Sequence, residues 1–146
     1  MNNIQRKISI FTGTIIGILL TTSAGIAQIA EVPSPNADGD FMSAKVLGNR
    51  GYYNNQIWLV VDLEYLNCRY TPGGEVKTRL ITGATMTAIF PQEGREDAIV
   101  IRNGKPWLRV RSLNPNLSRI DSGVCYVRAN KKYIFPINND YIEDLY

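Results

Sequence analysis

The 146-residue chain contains no histidine and only two cysteines. Histidine is the commonest general base and the commonest metal ligand in proteins, so its absence excludes Ser-His and Cys-His nucleophile pairs. Two cysteines alone also cannot form a zinc site of the usual Cys and His type within one chain. We therefore expect no catalytic residues, no metal site and no cofactor.

The N-terminal segment has the organisation of an export signal. Arg6 and Lys7 precede a run without charged residues that continues through Ala27. Small residues at the end of this run fit a cleavage site, so we expect a signal peptide over residues 1–27. The alternative is an uncleaved membrane anchor, because the uncharged run extends to Ala30 and is long enough to span a bilayer. Both interpretations place the rest of the chain outside the cytoplasm, in the periplasm or the extracellular medium.

The net charge bears on the class of partner. Loss of Arg6 and Lys7 with the signal peptide lowers the formal net charge from +3 to +1. A nearly neutral protein has little overall electrostatic attraction for nucleic acid, so we expect no nucleic-acid partner. We expect contact with a membrane only if the signal segment is retained.

Both cysteines, Cys68 and Cys125, lie beyond the predicted signal peptide. An even number of cysteines in an oxidising compartment favours a disulfide. Closing a loop of this length should stabilise the fold by about 4 kcal/mol on the chain-entropy estimate. The alternative is a pair of buried free thiols.

Most of the remaining chain consists of short segments rich in β-branched and aromatic residues, separated by turn residues. The prolines and polar residues of 28–40 indicate a linker, and residues 138–146 form a polar, acidic tail. Between them no apolar stripe of helical period occurs, so we expect an all-β domain, a small barrel, over residues 41–137. The predicted strands cover residues 41–47, 57–63, 78–82, 84–90, 97–102, 107–111, 123–128 and 133–137.

Short motifs occur in a recognisable order along this domain. They are Leu66-Asn67-Cys68-Arg69-Tyr70-Thr71-Pro72-Gly73, Gly83 with the strand that ends at Phe90, Trp107-Leu108-Arg109-Val110, and Cys125-Tyr126-Val127. In this order they resemble the bacterial SH3-type domain, in its exported, disulfide-bearing subset. The resemblance covers residues 61–137 and departs from the family at Tyr70-Thr71, where a small residue and a glycine are usual. An additional N-terminal strand region, residues 41–55, lies outside it.

The resemblance implies an SH3-like β-barrel that binds cell-wall peptidoglycan or its peptides. The ligand would occupy an aromatic and basic groove at one mouth of the barrel, because aromatic faces stack on sugars and arginine pairs with carboxylates. The structural alternative is that the aromatic rings serve packing and that Arg69 satisfies carbonyl groups of a turn. Tyr52 and Tyr53 form either a second exposed patch or a strand edge. The candidate ligand-binding residues are Tyr70, Trp107, Tyr126, Tyr133, Arg69, Arg109 and Arg128.

The carboxylates do not form a pattern typical of a hydrolase. Asp62 and Glu64 are two residues apart on one predicted strand, so they would share a face and could not flank a scissile bond. Glu93, Glu96 and Asp97 form an acidic loop without the spacing of a calcium loop. We therefore expect a non-catalytic binding module of the cell envelope, with peptidoglycan or an envelope protein as partner. The alternatives are a periplasmic protein-interaction or assembly module and, less favoured, a small secreted hydrolase or inhibitor.

Overall fold

The computed structural model describes residues 32–48, 50–112 and 123–138. The predicted signal peptide (1–27) and residues 139–146 of the tail lie outside this range. The described residues form strands and one 3-10 turn at Gln92–Gly94 but no α-helix, which confirms the all-β prediction. The strands are β1 (Lys45–Gly48), β2 (Gly51–Asn54), β3 (Ile57–Val60), β4 (Tyr65–Arg69), β5 (Val76–Ile81), β6 (Thr85–Ala88), β7 (Ile99–Arg102), β8 (Lys105–Ser112), β9 (Cys125–Arg128) and β10 (Ile134–Ile137). Within the described ranges, no helix is long and apolar enough to cross a membrane.

The strands form two antiparallel sheets. β1 and β2 make a separate hairpin, and the other strands make an eight-stranded sheet with the order β10-β3-β6-β8-β9-β4-β5. β7 joins the sheet beside β6, because the eight residues of β8 pair with β7 along their first half and with β6 along their second. The β4–β9 ladder is the shortest junction, with the single Cα pair Arg69–Tyr126.

The hydrogen-bonded order of the described strands does not return to its start, so the sheet is open and is not the closed barrel that we predicted. Its two ends are β10 and β5. β10 contains Pro136, which lacks an N–H group and is typical of an edge strand. β5 carries Lys77 and Arg79, and charged side chains of this kind oppose further strand pairing.

A single apolar core lies on the inner face of the large sheet. Every second side chain of a strand contributes to this core, since successive side chains point to opposite faces of the sheet. Both ends of the strand order contribute to one cluster, so the sheet curls around it. The buried residues on this face include Trp58, Val60, Leu66, Cys68, Leu80, Met86, Leu108, Val110, Val127 and Ile134.

Trp58 is the largest fully buried side chain of this core. Its indole Nε1 donates a hydrogen bond of 3.1 Å to the carbonyl of Asn55. The ring of Phe41 meets it edge to face, with centroids 5.1 Å apart. Phe41 precedes β1, so the segment before the first strand closes one side of the core.

Cys68 on β4 and Cys125 on β9 form the predicted disulfide, and neither is a free thiol. Both residues are buried on the inner face of the sheet, with their Cα atoms 5.6 Å apart. The disulfide therefore joins the two strands that share the shortest ladder.

The Asn103-Gly104 dipeptide, a sequence typical of two-residue hairpins, forms a turn of this kind. These residues have φ values of 50° and 70°, and they join β7 to β8. Positive φ at both central positions is typical of a type I′ turn, whose twist matches that of the flanking strands. The glycine lowers the cost of this conformation because it has no Cβ atom.

Tyr52 and Tyr53 lie within β2 and are both exposed, so they belong to a strand and also form an exposed patch. One local prediction differs from the structure. The strand predicted over residues 57–63 ends at Val60, which leaves Asp62 and Glu64 in the β3–β4 connection and not on one strand face. A side-chain oxygen of Asp62 accepts a 3.3 Å hydrogen bond from the backbone N–H of Glu64. Such local bonds compete with strand pairing.

Residues 36–40, which the sequence assigned to a linker, pack against the domain. The side chain of Asn36 accepts hydrogen bonds from the backbone N–H groups of Asp38 and Asp40, at 3.0 and 2.9 Å. Lys131 donates its backbone N–H to the carbonyl of Gly39 at 2.8 Å. The composition that indicates a linker also suits a tight turn, because Asn and Asp side chains bond to nearby backbone groups. The folded part therefore begins ahead of residue 41.

Candidate functional site

A cleft of about 280 Å³ opens on the outer face of β4, β9 and β8. The ladder of β8 and β9 places Trp107 opposite Arg128 and Arg109 opposite Tyr126. These positions alternate with the buried core positions, so their side chains share the outer face. The cleft is lined by Asp62, Tyr65, Leu66, Asn67, Arg69, Lys105, Trp107, Arg128 and Tyr133.

The cleft brings together part of the predicted ligand-binding set. Arg69, Trp107, Arg128 and Tyr133 line it, whereas Tyr70, Arg109 and Tyr126 do not. Four polar or aromatic lining residues were not among the predicted site residues. The period-two pattern of β4 could have identified two of them, since they precede Arg69 at alternate positions on the same face. The missed residues are Asp62, Tyr65, Asn67 and Lys105.

Trp107 lines the cleft and has only 9% of its surface exposed. A methyl group placed on Gly73 would lie 3.7 Å from the Cζ2 atom of Trp107. The β4–β5 turn therefore covers one edge of the Trp107 ring. In that turn the N–H of Gly74 donates to the carbonyl of Thr71 at 2.9 Å, and Gly73 has a φ of 75°. A Pro-Gly pair with positive φ at the glycine fits a type II turn. Trp107 therefore combines packing with a role in the cleft.

Tyr65 and Tyr133 contribute the other aromatic surfaces. Tyr65 is 38% exposed, and the Cζ atom of Arg79 lies 4.4 Å from the centre of its ring. This cation–π contact favours one orientation of the Tyr65 ring. Tyr133 is half-buried against the core, and its carbonyl accepts a 2.8 Å hydrogen bond from the N–H of Val61. The aromatic surfaces are thus largely held in place before any ligand binds.

Arg69 has the structural contact that its alternative interpretation predicted. Its Nη1 atom donates a 2.7 Å hydrogen bond to the carbonyl of Gly74, across the β4–β5 turn. The same side chain lines the cleft. Arg69 therefore holds the turn above Trp107 and also contributes a positive charge to the site.

Arg128 is a structural arginine even though it lines the cleft. Its Nη2 atom donates to both carboxylate oxygens of Asp40, at 2.8 and 2.9 Å, and Nη1 donates to the carbonyl of Pro106 at 2.9 Å. The side chain of Asn130 donates a further hydrogen bond of 2.6 Å to Asp40. These contacts occupy the guanidinium of Arg128, so its charge is balanced within the protein.

The pKa of Asp40 reflects this arrangement. Burial of the carboxylate raises its pKa, but the hydrogen bonds from Arg128 and Asn130 and the positive charges of Arg128 and Lys105 lower it. The lowering effects together dominate, so the pKa of Asp40 lies below its usual value. The charged form of Asp40 is therefore the form that stabilises the fold.

Replacing Asp40 with Asn is expected to lower the free energy of unfolding by about 1–2 kcal/mol at neutral pH, because Arg128 loses its carboxylate partner. A group with a lowered folded-state pKa stabilises fully above its unfolded-state pKa, about 3.9 for Asp, and loses this contribution as pH falls through the folded-state pKa. The difference between wild type and Asp40→Asn should therefore be constant near neutral pH and shrink below about pH 4. Urea unfolding at a series of pH values measures it.

Asp38→Asn is the matched control, because Asp38 is exposed and two residues away. Its effect should stay within about 0.5 kcal/mol at every pH. A wild-type advantage over Asp40→Asn that persists undiminished to about pH 2 would contradict the assigned role of the Asp40 carboxylate.

The acidic loop has a structural role through Asp97. The carboxylate of Asp97 accepts the backbone N–H groups of Ala44 and Ile99, at 3.0 and 2.8 Å, and the hydroxyl of Ser43. These bonds attach the start of β1 to the β6–β7 connection. Within the described ranges, no three His, Cys, Asp or Glu side chains come together to hold a metal ion.

The cleft is equipped for stacking and ion pairing. It combines aromatic rings with the cationic groups of Arg69 and Lys105, and Asp62 supplies the one carboxylate among its lining residues. No protein-family model, no curated protein and no solved structure matches the chain. The assignment of function therefore starts from the cleft itself.

Proposed function

We propose that this chain is a non-catalytic binding module of the cell envelope that recognises peptidoglycan or its peptides. The supporting observation is the convergence of Tyr65, Trp107 and Tyr133 with Arg69 and Lys105 on one cleft. Aromatic faces stack on sugar rings and apolar peptide groups, and cationic side chains pair with the carboxylates of peptide stems. Export, which the disulfide supports, would place this cleft in the compartment of the cell wall.

We further propose that the curled sheet is a variant of the bacterial SH3-type domain. The motifs that carry this resemblance fall on β4 and its turn, β6, β8 and β9. These strands are consecutive neighbours in the sheet, in the order β6-β8-β9-β4. Segments far apart in sequence therefore lie side by side, and residues of β4, β8 and β9 among them line the cleft.

The wall-binding role is tested with the oxidised protein recovered from an exporting host and purified peptidoglycan sacculi. Tyr65→Ala should weaken binding by about tenfold, since truncation of an aromatic contact residue commonly has an effect of this size. Tyr65 is chosen over Trp107 because the buried Trp107 also supports the fold. Pelleting of the protein with sacculi over a range of concentrations gives the affinity.

The matched control is Tyr52→Ala, because Tyr52 is 73% exposed and lies on the separate β1–β2 hairpin. It should bind sacculi as the wild type does. Absence of saturable binding by the wild-type protein, or equal losses in the two variants, would overturn the proposal.

A protein-interaction or assembly module is the second candidate function. The β1–β2 hairpin exposes Leu47, Tyr52 and Tyr53, with 58%, 73% and 50% of their surfaces accessible. Aromatic and apolar side chains of this kind are typical of protein interfaces. In that case Tyr52→Ala would lose binding to an envelope partner, and Tyr65→Ala would retain it.

A further inference from the structure

A row of side chains stands beside the cleft on the same outer face. Tyr126 is the Cα partner of Arg69 on one side and of Arg109 on the other. Since neighbouring strands are about 4.8 Å apart, the two arginine Cα atoms lie about 10 Å apart across the tyrosine. Among the described residues, the ion pair that forms is Arg128–Asp40, and no carboxylate pairs with Arg69 or Arg109.

Unsatisfied hydrogen-bonding atoms occur on this same surface. Within the described part of the chain, the buried side-chain polar atoms that lack a hydrogen-bond partner are Oδ1 of Asn67 and Nε of Arg109. Buried polar groups are nearly always hydrogen-bonded, so each exception calls for an explanation. Here one atom is an acceptor and the other is a donor. Both belong to strands that form the surface beside Tyr126.

Arg128 provides an internal comparison for Arg109. The two residues lie on adjacent strands, and their side chains share the outer face. Arg109 pairs with Tyr126, and Arg128 lies two residues further along β9. Arg128 donates to the carboxylate of Asp40 and to the carbonyl of Pro106. Among the described residues, Arg109 has no such acceptor, and its Nε atom is buried without a partner.

We propose that Asn67, Arg69, Arg109 and Tyr126 form a peptide-carboxylate subsite that extends the cleft. The proposal rests on the proposed function, because it names the part of a peptide ligand that binds next to the aromatic residues. Arg109 pairs with a ligand carboxylate through its fork of N–H donors. Oδ1 of Asn67 is buried without ligand, and it accepts a ligand amide N–H once its amide group turns towards the surface. Phosphate and sulfate diesters offer no N–H donor to Asn67, so the two unsatisfied atoms together favour a peptide.

Arg109 is half-buried, and Nε is the buried unpartnered nitrogen of its guanidinium. The terminal nitrogens are not among the buried unpartnered atoms of the described residues, and in the proposed subsite they meet the carboxylate first. A turn of the guanidinium on binding would then present its Nε edge to the second carboxylate oxygen. This bidentate geometry is available to arginine and not to lysine.

The test compares a peptidoglycan stem tetrapeptide that has free carboxylates with the same peptide after amidation of its carboxylates, by isothermal titration calorimetry of the oxidised protein. Amidation should weaken binding to the wild type by about tenfold or more. Arg109→Gln should weaken binding of the free-acid peptide by about tenfold and leave the amidated peptide unaffected. Arg109→Lys should fall between wild type and Arg109→Gln, since it keeps the charge and loses the fork.

Arg50→Gln is the matched control, because it removes the same charge from an exposed position beside the β1–β2 hairpin. Its affinity should stay within about twofold of wild type. Equal effects of Arg109→Gln and Arg50→Gln would overturn the subsite, and so would full affinity in Arg109→Lys. Arg109→Lys also decides the outcome if Arg109→Gln does not fold.

The result separates this inference from the wall-binding proposal. Saturable binding to sacculi with no effect of amidation would overturn the subsite and leave wall binding supported. Failure to bind sacculi, together with Arg109-dependent binding of a linear Ala-Glu-Ala-Glu peptide, would overturn wall binding and support the subsite.

Discussion

Reduction of the Cys68–Cys125 disulfide is expected to lower the free energy of unfolding by about 4 kcal/mol. The bond closes a loop with a sequence separation of 57 residues, and opening it restores the conformational freedom of that loop to the unfolded chain. Because the effect acts on the unfolded chain, its size is set by the length of the loop and not by the single Cα pair of the β4–β9 ladder.

Urea unfolding of the wild type with and without reductant measures this difference. The double variant Cys68→Ala/Cys125→Ala is the control, since it should resemble the reduced wild type and should not respond to reductant. Single substitutions are less informative because they leave one thiol free. Equal unfolding midpoints for oxidised and reduced wild type would show that the disulfide adds no stability.

Trp58→Ala is expected to lower the free energy of unfolding by about 3–5 kcal/mol, because truncating a buried tryptophan leaves a cavity that its neighbours cannot fill. Trp58 is fully buried, and it also carries the edge-to-face contact with Phe41 and the hydrogen bond to Asn55. The loss should therefore loosen the segment ahead of β1 as well as the core. Thermal and urea unfolding followed by circular dichroism measure it.

Trp58→Phe separates packing from hydrogen bonding at this position. It keeps an aromatic ring against Phe41 and removes the indole donor, so the loss should be smaller than in Trp58→Ala and include about 1 kcal/mol for the hydrogen bond. Similar losses in the two variants would show that the hydrogen bond to Asn55, and not packing, dominates the role of Trp58.

The parts of the fold that follow from local chemistry were predictable. The strand around Trp107 follows from side-chain alternation, and the turn at Asn103-Gly104 follows from the need for positive φ. The open order of the sheet was not predictable, because strand pairing depends on contacts between distant segments. The docking of Asp40 is of the same kind, since its partner Arg128 lies 88 residues away.

The candidate site divides along the same line. Resemblance to a family identified Trp107 and Tyr133, which the structure places in the cleft. It could not separate Arg128, held by Asp40, from Arg109, which has no carboxylate partner among the described residues. Both are arginines at outward-facing strand positions, so the sequence does not distinguish them, and only their neighbours in the folded protein do. Tyr65 was missed because it lies one residue ahead of the family motif, which begins at Leu66, although the period-two pattern of β4 places it on the same face as Arg69.

The disulfide links the two groups of strands that carry the proposed binding surface, so the redox state of the cysteines affects that surface. β4 carries Asn67 and Arg69, β8 and β9 carry Trp107 and Tyr126, and the junction between these groups is the single-pair ladder that the disulfide joins. Reduction would therefore remove the one covalent link across this junction of the proposed binding surface. Any binding by this surface is then expected to weaken when the disulfide is reduced.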